Sequence, residues 1–296
     1  PWWTPTAQWA DIVFPATTAL EREDICASSH DPYAHAMQQA LPVQHEARSD
    51  HEIFAGLAAR LEIDDAFLEG RSERDWLRHM WDLSDQKARK EGFELPQFDA
   101  FWRDRMYKIP QQAARKTWLA DFRSDPVNNP LNTPSGKIEI FSNVIDGFDY
   151  DDCPGHPTWL EPFERLGGNN AEKYGLHLLT PQPEKKLHSQ MDPSAHSHSG
   201  KVKGKEVLLM HSDAAAARGL QEGDVVRIFN DRGACLAAVG LDDNRLSDVV
   251  SLPTGSWFKR LDAFTDANGN TNLLTADIGT TKLAQVPIAN TCLVEV

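Results

Sequence analysis

From Leu176 to Val296 the chain alternates short apolar runs with turn-forming residues: LHLLT, EVLLM, DVVRIFN, CLAAVGL, DVVSL and TCLVEV, separated by segments such as DRG and PTG. Each run is too short for a stable helix and is bounded by Gly, Pro, Asn or Asp, so each is predicted as a strand. SDAAAARGL is predicted as a short helix among them. Many short strands bury their apolar side chains only if the sheet curls back on itself, which predicts a closed or nearly closed β-barrel.

The preceding part follows a different pattern. In residues 1–48, short β-like or irregular pieces such as ADIVF are broken by Pro5, Pro15, Pro32 and Pro42, which reads as a loop-rich portion of an α/β layer. From Asp50 to Tyr107, apolar residues recur at helical spacing: Ile53, Phe54, Leu57 and Leu61; Trp76, Leu77, Met80 and Trp81; Phe98, Phe101, Trp102 and Met106. Three amphipathic helices are predicted, the first capped by Ser49 or Asp50 and the last with Asp99 in its first turn. Residues 126–176 turn irregular, with KIEIFS as an alternating strand and DDCPGHPTWLEPFERLGG as a connector. The domain boundary is placed near Gly168, giving domains 1–168 and 169–296.

Composition excludes several classes. The balance of 44 acidic against 30 basic residues, net charge −14, would repel a nucleic-acid backbone. No apolar run approaches the roughly 20 residues of a membrane-spanning helix. Cys26, Cys153, Cys235 and Cys292 are far apart and are read as buried free thiols. The opening PWWTPTAQWADIVF lacks an initiator Met and already has the content of a core, so the sequence is expected to begin inside a longer protein. The expected compartment is the cytoplasm, with the periplasm as the alternative.

The common catalytic signatures GxSxG, HExxH, GxGxxG and the P-loop are absent. The acidic pairs Glu21/Glu23 and Asp64/Asp65 are read as surface carboxylates, and His196 and His198 as members of a solvated loop. Two stretches stand out. TPQPEKKLHSQMD, residues 180–192, leaves a predicted strand through two prolines and carries neutral donors and acceptors at Thr180, Gln182, His188, Ser189 and Gln190. GNTNLLT, residues 269–275, offers Asn270 and Asn272. Such groups suit a heteroaromatic ligand, because each buried polar edge left unpaired costs roughly 1–3 kcal/mol.

The segments WTPTAQWADIVFPATTALEREDI, ARSDHEIFAGLAARL, NTPSGKIEIFSN, GHPTWLEP, KKLHSQMD, GDVVRIFNDRG and GNTNLLTADIGTTKLAQ together resemble the C-terminal part of the dimethyl sulfoxide reductase family of molybdopterin enzymes. The likeness is greatest to the branch that holds biotin sulfoxide and trimethylamine N-oxide reductases, and GSWF at 255–258 is more like the biotin sulfoxide branch. The resemblance implies a partial, helix-rich α/β cofactor-binding domain followed by a six-stranded double-psi β-barrel, with a bis(molybdopterin guanine dinucleotide) molybdenum cofactor. By motif match, Thr180, Gln182, His188, Ser189 and Gln190 would contact the pterin and its diphosphate arms, and Asn272 and Gln285 a pterin from the barrel's far loops. Asp50 of ARSD matches an aspartate near a guanine, where a carboxylate accepts from two parallel N–H groups.

The molybdenum ligand and the aromatic residues over the metal lie in the family's first half, so no catalytic or metal-ligating residue is assigned here. The expected activity is reduction of an S-oxide or N-oxide, with biotin or methionine sulfoxide favoured over trimethylamine N-oxide or dimethyl sulfoxide. The electron donor is unassigned, and the expected partner is the missing N-terminal half, without which the chain would be catalytically incomplete and prone to associate. A non-catalytic binding or interaction module is the reading of another class.

Overall fold

Residues 24–28 and 31–37 pair as strands although their pattern gave little sign of them. Strand β1 (Asp24–Ser28) pairs antiparallel with β2 (Asp31–Met37), and β2 pairs in turn with β3 (Met106–Lys108). The computed structural model describes residues 2–28, 30–110, 117–168 and 170–296. The chain packs as two compact units, residues 1–124 and 125–296, so the stretch 125–168 is grouped with the second.

In the first unit the helices are α1 (Pro5–Trp9), α2 (Asp50–Arg60), α3 (Asp64–Leu68), α4 (Glu73–Lys90), α5 (Phe98–Asp104) and α6 (Ala120–Ser124). Ser49 caps α2, its hydroxyl accepting from the Glu52 amide at 3.1 Å, and this places Asp50 in the first turn. Ser72 and Asp75 form a reciprocal capping box at the start of α4. The core joins Ala34 and Ala36 of β2 to Leu77, Trp81, Phe98, Phe101 and Trp102. Small residues on β2 let the large rings approach: Trp81 stacks on Phe101 with centroids 3.7 Å apart, and its indole N–H donates to the Pro96 carbonyl at 2.8 Å.

Periodicity did not capture everything in this unit. The third predicted helix ends before Met106, which belongs to β3, and α3 is an additional helix. ADIVF forms no strand. Glu21, expected at the surface, is buried, because its carboxylate closes the turn begun by Thr18 and accepts the Gln44 amide at 2.9 Å. Cys26, expected buried, is exposed on edge strand β1. The apolar side of α2 is uncovered: Ala58 is its buried residue, whereas Phe54 and Leu61 are exposed.

The second unit holds α7 (Asn143–Asp146), β4 (Leu176–Leu179), α8 (Ala195–His198), β5 (Val207–Met210), α9 (Ser212–Ala216), β6 (Val225–Phe229), β7 (Ala234–Leu241), β8 (Val249–Ser251), β9 (Thr265–Asp266) and β10 (Cys292–Val294). Their sheet is mixed, in the order β10-β4-β8-β5-β7-β6, with β9 paired to β7. The pairs β4/β8 and β5/β7 are parallel; β10/β4, β5/β8 and β6/β7 are antiparallel. The sheet curls until its end strands meet: Phe229 and Glu295 exchange backbone hydrogen bonds of 2.9 Å each. Inside lie Leu176, Leu178, Leu208, Met210, Ile228, Val239, Val250, Leu252, Leu274 and Val294.

KIEIFS departs from its predicted strand. Ile138 and Ile140 are exposed and the segment has no strand assignment, since alternation makes a strand only where another strand supplies a hydrogen-bonding edge. His196 and His198 are exposed, as expected, on short helix α8, and the described residues contain no cluster of three or more metal-ligating side chains. No helix among the described residues is long and apolar enough to cross a membrane. Leu178→Ala, at a fully buried position of β4, is expected to destabilise the second unit by about 2–5 kcal/mol, measured by chemical denaturation.

Candidate functional site

Strand β4 empties into the loop of residues 180–192. Thr180 is buried at the exit, and both its amide and its hydroxyl donate to Asn290 Oδ1, at 3.0 and 3.1 Å. Pro181 and Pro183 then carry the chain outward without amide donors, and Gln182 between them is exposed. Leu187 and Gln190 form an antiparallel bridge around the two-residue turn His188–Ser189, with the Gln190 amide donating to the Leu187 carbonyl at 2.9 Å. His188 (φ 52°) and Met191 (φ 63°) take left-handed backbone conformations. The imidazole, hydroxyl and amide of His188, Ser189 and Gln190 are thereby displayed together on a tight turn.

A second segment, residues 252–258, holds that turn in place. Gly255 (φ 88°) passes so close that a Cβ there would stand 1.9 Å from the His188 carbonyl oxygen, so glycine is required both by conformation and by space. The Thr254 amide donates to the Pro181 carbonyl at 3.0 Å, and the Trp257 indole N–H donates to the Ser189 carbonyl at 2.7 Å.

Beneath the turn lies a buried group of four charges. Lys186 Nζ reaches Asp192 at 2.7 Å and Glu206 at 2.6 Å, while Lys201 Nζ reaches the same two carboxylates at 3.0 and 3.3 Å. Ser256 donates to Glu206 at 2.9 Å, and Asp192 also accepts the Trp257 amide at 2.9 Å. All four charged side chains are at most 10% exposed, and two ammoniums balance two carboxylates, as burial demands. Burial acts to raise the Asp192 pKa, but Lys186, the Trp257 amide and Lys201 together outweigh it, and the carboxyl lies below its ordinary value.

Asp266, wholly buried, organises the loop that carries Asn270 and Asn272. It accepts from the amides of Lys259 (2.6 Å), Asn268 (2.7 Å) and Asn270 (2.8 Å). Asn270 Oδ1 accepts the Asn272 amide at 3.0 Å, and Asn272 is exposed. This loop joins the first through Trp257, whose carbonyl accepts from Asn268 Nδ2 at 3.0 Å, and through Gly269, where a Cβ would stand 3.1 Å from Glu206 Cβ.

Gln285 occupies a separate loop. Its backbone is left-handed (φ 56°), its side-chain amide donates to the Lys282 carbonyl at 3.1 Å, and Lys282 is held by Asp151 at 2.6 Å and by Asp152, which accepts its amide at 3.0 Å. Asp50 lies in the first unit, exposed in the first turn of α2. The structure thus brings His188, Ser189 and Gln190 onto one turn, ties that turn to the Asn272 loop, and pairs Thr180 with Asn290. It gives no direct contact between these residues and Gln285.

Sequence reasoning missed Trp257, Asn290 and the four buried charges. Lys186 and Asp192 had a signal in hindsight, since they flank the turn at its two ends, but a lysine beside a turn ordinarily reads as solvated. NDRG proves to be internal bracing. Asn230 Nδ2 donates to the carbonyls of Leu274 (2.8 Å) and Leu293 (3.1 Å), and Arg232 forms a two-pronged pair with Glu164 at 2.6 and 3.0 Å. Hydrogen bonding to Glu164 holds the Arg232 pKa above its ordinary value against burial. Cys235 and Cys292 are buried as expected, and burial pushes the Cys292 thiol up to about 11, so it stays protonated and inert at neutral pH.

A curled mixed sheet with neutral polar loops at its strand exits defines a domain class. Residues 176–293 match the Molydopterin dinucleotide binding domain, and residues 1–60 match Molybdopterin oxidoreductase. Residues 1–60 and 176–293 thus carry the sequence of a molybdopterin oxidoreductase domain and of a molybdopterin dinucleotide-binding domain. It is 44% identical to a dimethyl sulfoxide/trimethylamine N-oxide reductase of Rhodobacter capsulatus over 99% of this chain and 36% of that protein. It is 42% identical to a biotin sulfoxide reductase of Cereibacter sphaeroides over 100% of this chain and 40% of that protein. The chain therefore spans well under half the length of these curated relatives. Acetylene hydratase from Pelobacter acetylenicus shares the fold, with a TM-score of 0.69 at 20% identity over 99% of this chain and 39% of that structure.

Two outcomes are expected. Gly255→Ala should cost on the order of 1–3 kcal/mol and displace the His188–Ser189 turn, read by thermal denaturation and by exchange of the turn amides. The depressed Asp192 pKa contributes stability that is present above the ordinary aspartate pKa of ~3.9 and is lost as pH falls through the lower folded value. Melting of Asp192→Asn should accordingly depend less steeply on pH below about 4 than melting of the parent.

Proposed function

We propose that this chain supplies the C-terminal cofactor-binding part of a molybdenum-dependent reductase of S-oxides or N-oxides. The observation that carries the reading is the exposed His188–Ser189–Gln190 turn, fixed over Gly255 and tied to the Asn272 loop, within the part that matches a dinucleotide-binding domain. The donor set fits a pterin dinucleotide. Neutral groups that both donate and accept complement the amide and amine edges of a pterin, and the Gly255 approach leaves the turn little freedom to reshape.

The cofactor is bis(molybdopterin guanine dinucleotide) molybdenum, which supplies two-electron redox chemistry when bound. His188, Ser189 and Gln190 bind and orient it through one turn, Gln182 extends the same surface, and Asn272 and Gln285 act from their own loops. Asp50 accepts from a guanine edge at the start of α2. Thr180 acts indirectly, since its amide and hydroxyl are both engaged by Asn290. We further propose that the curled sheet is a double-psi β-barrel: six strands lie on its path, and the Phe229–Glu295 bridge joins the ends.

The substrate class is that of the relatives, a dimethyl sulfoxide/trimethylamine N-oxide reductase and a biotin sulfoxide reductase, with biotin or methionine sulfoxide favoured by the Gly255–Phe258 segment and trimethylamine N-oxide or dimethyl sulfoxide as the alternative. The decisive measurement is molybdenum and guanine nucleotide per chain in the purified protein, followed by turnover of each oxide with a reduced dye. Gln190→Ala and His188→Ala are each expected to lower cofactor occupancy about tenfold, a loss of roughly 1.4 kcal/mol of binding per contact. Full occupancy in both variants would defeat the assignment of the turn.

A further inference from the structure

The buried charges stand between two loops that sequence motifs alone treat as separate. Lys186 immediately precedes the Leu187–Gln190 bridge and Asp192 closely follows it, so their 2.7 Å pair clasps the neck of the turn. Glu206, the residue before β5, receives Lys186, Lys201 and Ser256 on one carboxylate oxygen, and its side chain packs under Gly269 (φ 77°), the residue that opens GNTN. Trp257 makes the second connection, donating to Asp192 with its amide and to Ser189 with its indole, and accepting from Asn268 at its carbonyl. The hydrogen bonds of these four charges go to one another, to Ser256 and to the Trp257 amide, and each side chain is at most 10% exposed. Removing one partner would leave an uncompensated buried charge, which a salt bridge at the surface would not do.

We propose that Lys186, Asp192, Lys201, Glu206 and Trp257 form one positioning device that sets the His188–Gln190 turn and the Asn270–Asn272 loop as a single rigid surface. The cofactor role of that surface rests on the proposed function; the mechanical coupling does not. None of the five residues is a catalytic residue. They act through the two loops, fixing before binding a geometry that would otherwise have to be ordered at the moment the ligand arrives.

The test uses the complete holoprotein and two variants, Trp257→Phe, which removes the indole N–H and shrinks the ring, and the near-isosteric Asp192→Asn, which removes one charge. Lys201→Arg serves as the conservative control that keeps the charge. Amide hydrogen exchange of residues 187–191 and 268–272 is measured against residues 225–241 as an internal reference, beside molybdenum and guanine content. The expected result is exchange about tenfold faster in both loops together, unchanged exchange in the reference strands, lowered cofactor content, and near-parental behaviour in Lys201→Arg. Faster exchange in 187–191 alone, or in neither loop, overturns the device and leaves the cofactor assignment to the Gln190→Ala and His188→Ala occupancies. Faster exchange in both loops with cofactor content unchanged upholds the coupling and overturns the assignment of these loops to the cofactor. Should Trp257→Phe fail to fold, Asp192→Asn alone decides by the same comparison.

Discussion

The arrangement of the second unit depends on four charges being removed from water together. A buried ammonium or carboxylate alone is costly by several kcal/mol, and the cost is offset here only because Lys186, Lys201, Asp192 and Glu206 meet at hydrogen-bonding distance with no net charge among them. An apolar cluster of similar volume could fill the same space with equal or better stability. What it could not do is specify direction. Each ion pair admits a narrow range of geometry, so the segments that carry these residues, namely the two ends of the polar loop, the stretch after α8 and the residue before β5, are held in one register.

The same division between filling space and fixing geometry governs the first unit. There Trp81, Phe101, Phe98 and Trp102 supply most of the apolar burial, and Ala34 and Ala36 make room for them on β2. The Trp81 indole N–H, donated to Pro96, and the Gln38 side-chain amide, donated to the Trp102 carbonyl, are directional elements in a largely non-directional core. Both units thus set a small number of oriented polar contacts within a larger mass of dispersion and hydrophobic contact.

The six strands on the path of the curled sheet were legible because each carries its own signal, an apolar run with turn residues at both ends, as in LHLL, VVRIF and ACLAAVGL; the two-residue β9 carries none. Helices α2, α4 and α5 were legible for a similar reason, with the cap of α2 narrowed to Ser49 or Asp50, whereas α3 was not. KIEIFS shows the limit, since its alternation is as good as that of a real strand and what it lacks is a partner, which is a property of the fold. The pair β1 and β2 fails in the opposite direction, its pairing outweighing a weak local pattern that includes Pro32. Of the candidate site, the turn residues were found by motif, and their supports were not. Lys186, Glu206 and Asp266 look solvated in sequence because burial of a charge is decided by partners far away along the chain, such as Ser256 at fifty residues from Glu206.

The Phe229–Glu295 bridge has a consequence beyond architecture. A strand at the border of a sheet presents unpaired amides and carbonyls to any chain that can extend alongside it, and proteins commonly blunt such borders with charge, proline or bulges. By joining the end of β6 to the residue after β10, the second unit engages part of its own borders through Phe229 and Glu295. The three-stranded sheet of the first unit has no such closure: β1 lies at its border with the exposed Cys26 midway along it. A border strand that carries a thiol is a place where pairing with another copy could be made covalent under oxidising conditions.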